Sequence, residues 1–230
     1  RGRVKELEKE GLCGFIFKSD SPSSGMERVK VYNEKGMPEK AGIGMFAKTF
    51  MDHFPLIPVE EEGRLQDPAL REMFIERVFT LRRFRDSFRQ GKSRGGLVRF
   101  HTDHKLLILS HGRTRYTEMG TLVAQAKDLP LEEAYDRYQR LLMDALAQRT
   151  TSAKCADVLT HMLGHLRTFL SHEEKMELLE VVDRYRNRLI PLVVPITLFR
   201  HYVRKYGIAY LERQVFLNPH PVELMLRNHV

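Results

Sequence analysis

The pattern of apolar and polar residues divides the chain into a mixed first part and a helical second part. Strand-like patterns occupy residues 15–17, 28–32 and 56–59. Helical periodicity over 4–10 and 42–54, and a longer helical segment that opens at Pro68, alternate with these strands. This alternation predicts an α/β domain, although its strands are too few for a complete sheet.

The second part has helical periodicity almost throughout. Its periodic segments are residues 100–110, 114–127, 130–148, 152–170, 195–206 and 208–217. Another helix is predicted to follow Ser171, because Ser171 and Glu174 have the spacing of a capping box. A short closing helix is predicted to begin at Pro219, so this part of the chain is expected to be helical to its end.

The stretch 90–96 is rich in Gly and charge, and it is the best candidate for a boundary between the two parts. We therefore predict an α/β domain over residues 1–90 and an all-helical domain over residues 91–230. The expected fold class is mainly α, with a partial α/β amino-terminal domain followed by an all-α domain.

Charge is unevenly distributed along the chain. The net charge is +8, with 16 Lys and Arg against 15 Asp and Glu in residues 1–88 and 22 against 15 in residues 89–230. A basic surplus on one domain favours an anionic partner, most simply nucleic acid. The alternative is that the surplus is incidental, as it is in many soluble proteins.

Length and cysteine content narrow the class of protein further. The 230 residues can form a substantial core, and no apolar run approaches the roughly 20 residues that span a bilayer. Cys13 and Cys155 lie far apart in unrelated contexts, which argues against a disulfide framework and favours a cytoplasmic location. The first residues have a helical pattern without the apolar segment of a signal peptide, so we expect the chain to begin inside a longer product.

The most informative segment is the loop after the first predicted strand, Phe17-Lys18-Ser19-Asp20-Ser21-Pro22-Ser23-Ser24-Gly25-Met26. Functional loops of α/β proteins follow the carboxyl ends of strands. The hydroxyls of Ser19, Ser21 and Ser23 could bind a polar substrate there, together with the Lys18 ammonium group. An ordinary turn is the alternative interpretation, because Ser, Pro and Gly are common turn residues.

The loop resembles the Lys-Ser-x-Ser-Pro-Ser-Cys-Gly signature of the thiouracil desulfidase family. Other segments of residues 11–85 occur in the order and spacing of the same family. They include Gly42-Ile43-Gly44-Met45-Phe46-Ala47, Phe54-Pro55-Leu56-Ile57-Pro58-Val59-Glu60-Glu61-Glu62-Gly63-Arg64-Leu65 and Asp67-Pro68-Ala69-Leu70-Arg71. Residues 1–90 therefore look like the C-terminal part of an α/β desulfidase domain.

The helical part is similar to the domain of unknown function that is often fused behind the desulfidase domain. The similar segments include Phe100-His101-Thr102-Asp103-His104-Lys105-Leu106-Leu107, Val158-Leu159-Thr160-His161-Met162-Leu163-Gly164 and Asn218-Pro219-His220-Pro221. The fused form resembles the bacterial enzymes that remove sulfur from 4-thiouridine in transfer RNA. This resemblance implies that the helical domain binds the RNA.

The resemblance also implies non-redox desulfuration on a 4Fe–4S cluster held by three cysteines. Ser21 and Ser23 would then be catalytic residues, and Lys18 and Ser19 would bind the substrate. Ser24 stands where the family has a cluster cysteine, and a serine hydroxyl is a poor iron ligand beside a thiolate. The family's other two cysteines and its catalytic carboxylate belong to an upstream segment. We therefore expect the chain to hold no cluster and to be inactive alone. It would be either a part of an enzyme or a degenerate relative that retains RNA binding.

Candidate RNA contacts are basic, histidine and tyrosine side chains of the helical part. They are His101, His104, Lys105, Arg113, Arg115, Tyr116, Arg186, Arg200 and Arg204. His101 and His104 share a helix face that a metal could use, but no further ligand completes a site, so no metal is predicted. A phosphate-facing role and a core role stay open for these histidines. For the arginines, the alternative is a helix end whose dipole they satisfy.

Two further questions stay open at this point. Glu60, Glu61 and Glu62 could supply a general base, or they could form a solvated turn. Arg64 could pair with one of them and fix the loop. The whole chain could belong to a transfer-RNA desulfidase, to a non-catalytic nucleic-acid-binding module, or to a protein-interaction domain with incidental charge. Binding to RNA that weakens as salt rises would separate the first two classes from the third.

Overall fold

The computed structural model describes residues 2–32 and 37–229. The chain divides into two compact units, residues 1–82 and 83–230. We call them the amino-terminal unit and the helical unit. The division falls within a helix, and the domain limits 1–90 and 91–230 stay a prediction from the sequence.

The amino-terminal unit combines two-stranded sheets with helices. Its strands are β1 Phe15–Phe17, β2 Val29–Tyr32, β3 Pro38–Gly42 and β4 Val59–Glu61. Its helices are α1 Gly2–Glu6, α2 Met45–His53 and α3 Pro68–Ser87, the last of which continues past residue 82. β1 pairs in parallel with β4, and β2 pairs antiparallel with β3. The segments that follow β1 and β4 therefore leave the same edge of their sheet.

Aromatic side chains form the core of the amino-terminal unit. Phe17 on β1 and Phe50 on α2 are almost completely buried. The Phe50 ring centroid lies 4.4 Å from that of Phe15 and 4.9 Å from that of Phe54. Burial of each ring stabilises the unit by about 2 kcal/mol. The packing holds α2 against β1, next to the loop that leaves the strand.

The helical unit consists of helices joined by short turns. Its helices are α4 Arg94–His111, α5 Arg113–Ala124, α6 Leu131–Ala147, α7 Ser152–Leu166, α8 His172–Arg186, α9 Val193–Tyr206 and α10 Ala209–Glu212. Short 3₁₀ turns occupy Ala126–Asp128, Val215–Leu217, Val222–Leu224 and Leu226–Asn228. α4 packs against α5, α5 against α6, α7 against α8, α8 against α9 and α9 against α10, and α4 also packs against α6 and α7. α4 is therefore the central helix of the unit.

The core of the helical unit contains aromatic rings and a few polar groups that satisfy one another. The Phe84 ring is stacked on Tyr138 at 5.9 Å between centroids and lies edge-on to Phe100 at 5.2 Å. The Tyr138 hydroxyl lies 3.2 Å from Nδ1 of His101. This hydrogen bond satisfies two polar groups that would otherwise be costly to bury.

The predicted fold class is confirmed, since small sheets occur only in the first part of the described chain and helices follow. The capping box is also confirmed: Ser171 Oγ accepts from the Glu174 N–H at 3.2 Å, and the Glu174 carboxylate accepts from the Ser171 N–H at 2.8 Å. No helix among the described residues has both the length and the apolarity needed to cross a membrane.

Several boundaries differ from the predictions. α4 begins at Arg94 rather than at residue 100, because Ser93 Oγ accepts from the Gly96 N–H at 3.0 Å and caps a helix that starts inside the Gly-rich stretch. β3 has no predicted counterpart, and it takes Gly42 from the predicted helix over 42–54. These differences arise where capping and strand pairing override local composition.

Candidate functional site

The serine loop, which we define as residues 18–27, begins at the carboxyl end of β1. Glu62, directly after β4, holds its first two residues. The Glu62 carboxylate accepts hydrogen bonds from Lys18 Nζ and from the Ser19 backbone N–H, both at 2.7 Å. The bond from Lys18, followed by that from Ser19, lowers the pKa of Glu62 to about 2. The carboxylate is therefore ionised at neutral pH, and it neutralises the Lys18 ammonium group.

Glu61 holds the other end of the serine loop. Its Oε1 accepts from the backbone N–H of Met26 at 2.6 Å and from that of Glu27 at 3.4 Å. Glu60 points to the opposite face, because side chains alternate along a strand, and it accepts from Arg64 Nε at 2.7 Å. Arg64 Nη1 also donates to the Glu27 carboxylate at 2.7 Å. The expected pairing of Arg64 with the glutamate run is confirmed. Arg64 also links Glu60 to Glu27, the last residue of the serine loop.

The solvated-turn interpretation is wrong for two of the three glutamates. Glu60 and Glu61 are each only 6% exposed. Burial of a carboxylate is costly without partners, and here charged groups and N–H donors supply them. Arg77 on α3 contributes a further positive charge near Glu60; burial lowers the pKa of Arg77, while the Glu60 charge raises it. Glu61 and Glu62 thus hold the two ends of the serine loop. The sequence indicated them only as carboxylates that follow a predicted strand.

Ser23 connects the serine loop to α2. Its carbonyl accepts from the N–H of Phe46 at 2.8 Å and from that of Ala47 at 3.3 Å. These bonds satisfy donors of the first helical turn, which has no side-chain cap. Gly44 makes this contact possible, because a Cβ there would lie 2.4 Å from the Ser23 oxygen and 2.7 Å from the Ser24 nitrogen. The loop backbone is therefore fixed from both sides.

The structure brings the predicted serines together. Ser21 Oγ lies 3.3 Å from Ser23 Oγ and accepts from the Ser24 N–H at 3.3 Å. Ser23 is exposed, whereas Ser19, Ser21 and Ser24 are half-buried. With Lys18 neutralised by Glu62, the loop offers hydroxyl groups to an uncharged polar group, such as a carbonyl, rather than a net positive charge to an anion.

The two histidines among the candidate RNA contacts lie inside the helical unit. His104 is 4% exposed; its Nδ1 donates to the Phe100 carbonyl at 2.8 Å, and its Nε2 accepts from Arg83 Nε at 3.4 Å. Burial is the main cause that lowers the pKa of His104 to about 3 and that of His101 to about 4. Both rings are therefore neutral core residues, and their burial removes them from the surface that could contact phosphate.

The candidate arginines fall into two groups. Arg115 is paired with Glu118 at 2.5 Å and with Asp144 at 2.6 Å, and Arg186 is paired with Asp157 at 3.0 Å. Arg113, Arg200 and Arg204 have no ion-pair partner within the described ranges of the chain, and Arg113 and Arg204 are exposed. The second group is free to meet an external anion, whereas the first is engaged within the protein.

Lys105 and Tyr116 are both half-buried. Lys105 Nζ lies 4.9 Å from the centroid of the Tyr210 ring, a cation–π geometry. Burial, followed by Tyr116, raises the pKa of Tyr210. Tyr210 was not among the residues predicted from the sequence, and no local motif there indicates it.

Comparisons with known proteins match the two parts of the chain separately. Residues 1–62 match the model of the 2-thiouracil desulfurase family, and residues 105–221 match the model of a protein family of unknown function, DUF1722. The uncharacterized protein YbgA of Escherichia coli (strain K12) is 28% identical over 153 residues, which cover 66% of this chain and 90% of that protein. No solved structure matches the chain.

The residues of the serine loop do not fit an iron–sulfur cluster. Ser24 offers a neutral hydroxyl where soft iron sites use thiolates. Cys13 precedes β1 in the chain while Ser24 follows it, so Cys13 does not occupy the position of the family's cluster cysteine. Among the residues that the structure describes, no group of three or more His, Cys, Asp and Glu side chains could hold a metal ion. No catalytic step through a cluster is therefore assigned to this chain.

A substitution at Gly44 tests the link between the serine loop and α2. Gly44→Ala places a Cβ against the Ser23 carbonyl, so we expect the loop to shift and the amino-terminal unit to lose about 1–3 kcal/mol of stability. Urea unfolding followed by circular dichroism measures the change. Gly2→Ala is the matched control, because a Cβ there meets nothing within 4 Å. Equal stability of the two variants would contradict the tight contact.

The buried histidines predict how the stability of the helical unit depends on pH. Since His101 and His104 are neutral when folded but bind protons near pH 6.5 when unfolded, stability falls as pH drops from about 6.5 towards 4. Each contributes at most about 1.4 kcal/mol per pH unit. Seven of the eight tyrosines lie in this unit, so tyrosine fluorescence reports its unfolding.

His104→Phe removes one of these groups and should reduce the slope of stability against pH. His172→Phe, at an exposed position at the start of α8, is the matched control and should keep the wild-type slope. A slope that is the same in all three proteins would show that the histidines are not buried as described.

The ligand chemistry of the serine loop predicts the outcome of cluster reconstitution. Anaerobic incubation of the chain with iron and sulfide should leave it colourless after desalting, because no thiolate set is present. A desulfurase with its cluster cysteines, treated in parallel, is the positive control and should turn brown. A brown product from this chain would contradict the assignment.

Proposed function

Because the chain belongs to the DUF1722 family and its first 62 residues match the 2-thiouracil desulfurase family, we propose that it is the RNA-binding portion of a transfer-RNA desulfidase. In this proposal the helical unit binds transfer RNA and the serine loop contacts the sulfur-bearing base. The chain does not itself remove sulfur, because Ser24 replaces the cluster cysteine. A cytoplasmic location belongs to the same proposal, since transfer RNA is the ligand.

The distribution of charge between the units carries this proposal. Residues 1–82 contain 14 basic and 14 acidic side chains, whereas residues 83–230 contain 24 basic and 16 acidic ones, so the whole surplus of +8 lies in the helical unit. A phosphate backbone is attracted to such a surplus without regard to sequence.

Arg113, Arg200 and Arg204 are the best candidates for phosphate contacts. Each guanidinium is available, because no carboxylate pairs with it within the described residues. Arg200 and Arg204 are one helical turn apart on α9, which places them on the same helix face. Guanidinium groups bind phosphate through two parallel hydrogen bonds, so a pair of them can contact successive phosphates.

The serine loop suits the proposed contact with a modified uracil. Its hydroxyls at Ser21 and Ser23 can donate to a carbonyl oxygen and accept from a ring N–H. The neighbouring Lys18–Glu62 pair is neutral overall and adds no net attraction for the RNA backbone. The loop would thus contribute recognition of the base, while the helical unit contributes most of the affinity.

Binding to transfer RNA tests the proposal directly. We expect the full chain to bind bulk transfer RNA, with an affinity that falls about tenfold or more when salt rises from about 50 to 200 mM. Arg200→Glu combined with Arg204→Glu should weaken binding and reduce the slope of log affinity against log salt by about 1 for each lost phosphate contact. Fluorescence anisotropy with labelled transfer RNA measures both quantities.

Lys9→Glu combined with Lys48→Glu is the matched control for charge, since it reverses two charges as well and both lysines are exposed residues of the amino-terminal unit. It should leave affinity and slope close to the wild-type values. No binding, or an affinity that is constant between low and moderate salt, would contradict the RNA proposal and favour a protein-interaction domain with incidental charge.

A further inference from the structure

An open surface cavity of about 640 Å³ lies along α5 in the helical unit. The described residues that line it include Arg113, Thr117, Thr121 and Gln125, on α5 and at its C-cap. These four residues recur at intervals of four, so they share one face of the helix. All four are exposed, and a ligand can therefore reach them from solvent.

The face of α5 that lines this cavity is polar and has little net charge. Leu122 is the one apolar side chain among the described lining residues, whereas a partner helix would need an apolar stripe. The Glu118 carboxylate also lines the cavity and is paired with Arg115 at 2.5 Å. Arg113 has no ion-pair partner in the part of the chain that the structure describes. The face therefore suits a neutral hydrogen-bonding ligand with an anionic group at one end.

The threonine hydroxyls on this face are oriented as acceptors. Thr117 Oγ donates to the Arg113 carbonyl at 3.0 Å, and Thr121 Oγ donates to the Thr117 carbonyl at 3.1 Å. A hydroxyl whose proton is engaged in this way keeps lone pairs that can accept a further hydrogen bond. The two threonines thus present acceptors to solvent, and the side-chain amide of Gln125 adds a donor and an acceptor.

These threonines lower the intrinsic stability of the helix on which they lie. A β-branched side chain loses rotational freedom in a helix, and Thr has a lower helix propensity than Ala. A hydroxyl that bonds to the carbonyl four residues earlier also slightly destabilises a helix. Since Thr117 and Thr121 are exposed, core packing does not account for them, and we look to an external ligand.

A row of hydroxyl acceptors is complementary to a row of hydroxyl donors. Double-stranded RNA displays its ribose 2′-hydroxyls along a wide, shallow minor groove, into which the convex face of one helix can fit. Thr117 and Thr121 are roughly 6 Å apart along the helix axis, a distance similar to that between neighbouring riboses of one strand. Arg113, one turn before Thr117, is placed to bind a phosphate at the edge of that groove.

We propose that this face of α5 docks in the minor groove of an RNA duplex. Ribose 2′-hydroxyls donate to Thr117 and Thr121, Gln125 contacts a ribose or a base edge, and Arg113 binds a phosphate. This inference rests on the proposed function in that a stem of transfer RNA supplies the duplex. It adds a means of distinguishing RNA from DNA, which basic charge alone does not provide.

Replacement of the two hydroxyls tests the proposal with the full chain. Thr117→Ala combined with Thr121→Ala should keep at least wild-type stability, because Ala has the higher helix propensity. A labelled RNA hairpin and a DNA hairpin of the same sequence are titrated and followed by fluorescence anisotropy. We expect the double variant to bind the RNA about three- to tenfold more weakly than wild type and to bind the DNA equally well.

Thr102→Ala combined with Thr160→Ala is the matched control. The hydroxyls of Thr102 on α4 and Thr160 on α7 donate to the carbonyls of Val98 and Ala156, both at 2.8 Å, so they have the same local geometry. Neither residue lines the cavity. The control should keep the wild-type affinity for both hairpins.

The dependence on salt separates the hydroxyl contacts from the phosphate contact. A hydroxyl releases no counterion, so the two Thr→Ala changes should weaken RNA binding and leave the slope of log affinity against log salt unchanged. Arg113→Gln should reduce that slope by about 1. Equal RNA affinity of wild type and the double Thr variant would overturn the proposal, as would an equal loss of affinity for RNA and DNA.

A transfer-RNA titration separates this inference from the proposed function. Binding that depends on Arg200 and Arg204 but is the same in wild type and the double Thr variant overturns the α5 contact and leaves the proposed function intact. Hairpin binding that is weakened in the double Thr variant, by a chain that does not bind transfer RNA, supports the α5 contact and overturns the proposed function. A wild-type chain that binds neither RNA overturns both.

Discussion

The parallel pairing of β1 with β4 is the contact on which the arrangement of the amino-terminal unit depends. It places the serine loop, which leaves β1, beside Glu61 and Glu62 at the end of β4, so two consecutive carboxylates bind one loop. Glu62 binds the first residues of the loop and Glu61 binds the last, while Glu60 is neutralised by Arg64. Because a buried carboxylate needs such partners, the loop and the strand stabilise each other.

This anchoring explains how the loop can retain its conformation without a metal ligand. The Ser23 carbonyl caps α2, and Gly44 leaves room for it, so backbone contacts rather than the side chain at position 24 hold the segment. Ser24 changes the chemistry available at that position without being needed for the fold.

In the helical unit, burial sorts residues of the same type into different roles. His101 and His104 face the aromatic core and are held neutral, whereas His161 and His165 are exposed beside Tyr210. The basic side chains are sorted in a similar way. Arg115 and Arg186 are paired with carboxylates, whereas Arg113, Arg200 and Arg204 have no such partner in the part of the chain that the structure describes. Only the unpaired arginines are therefore available to an external anion.

The sequence by itself determined the fold class, the two family segments and the capping box, because these depend on periodicity and on motifs within a few residues. It also indicated the serine loop, whose residues are neighbours in the chain. Only the tertiary structure decided that His104 is buried, that Arg115 is paired, and that Gln214 donates to the Thr102 carbonyl. These outcomes depend on how α4 packs against segments up to about a hundred residues away, and helical periodicity specifies a buried face without specifying what covers it.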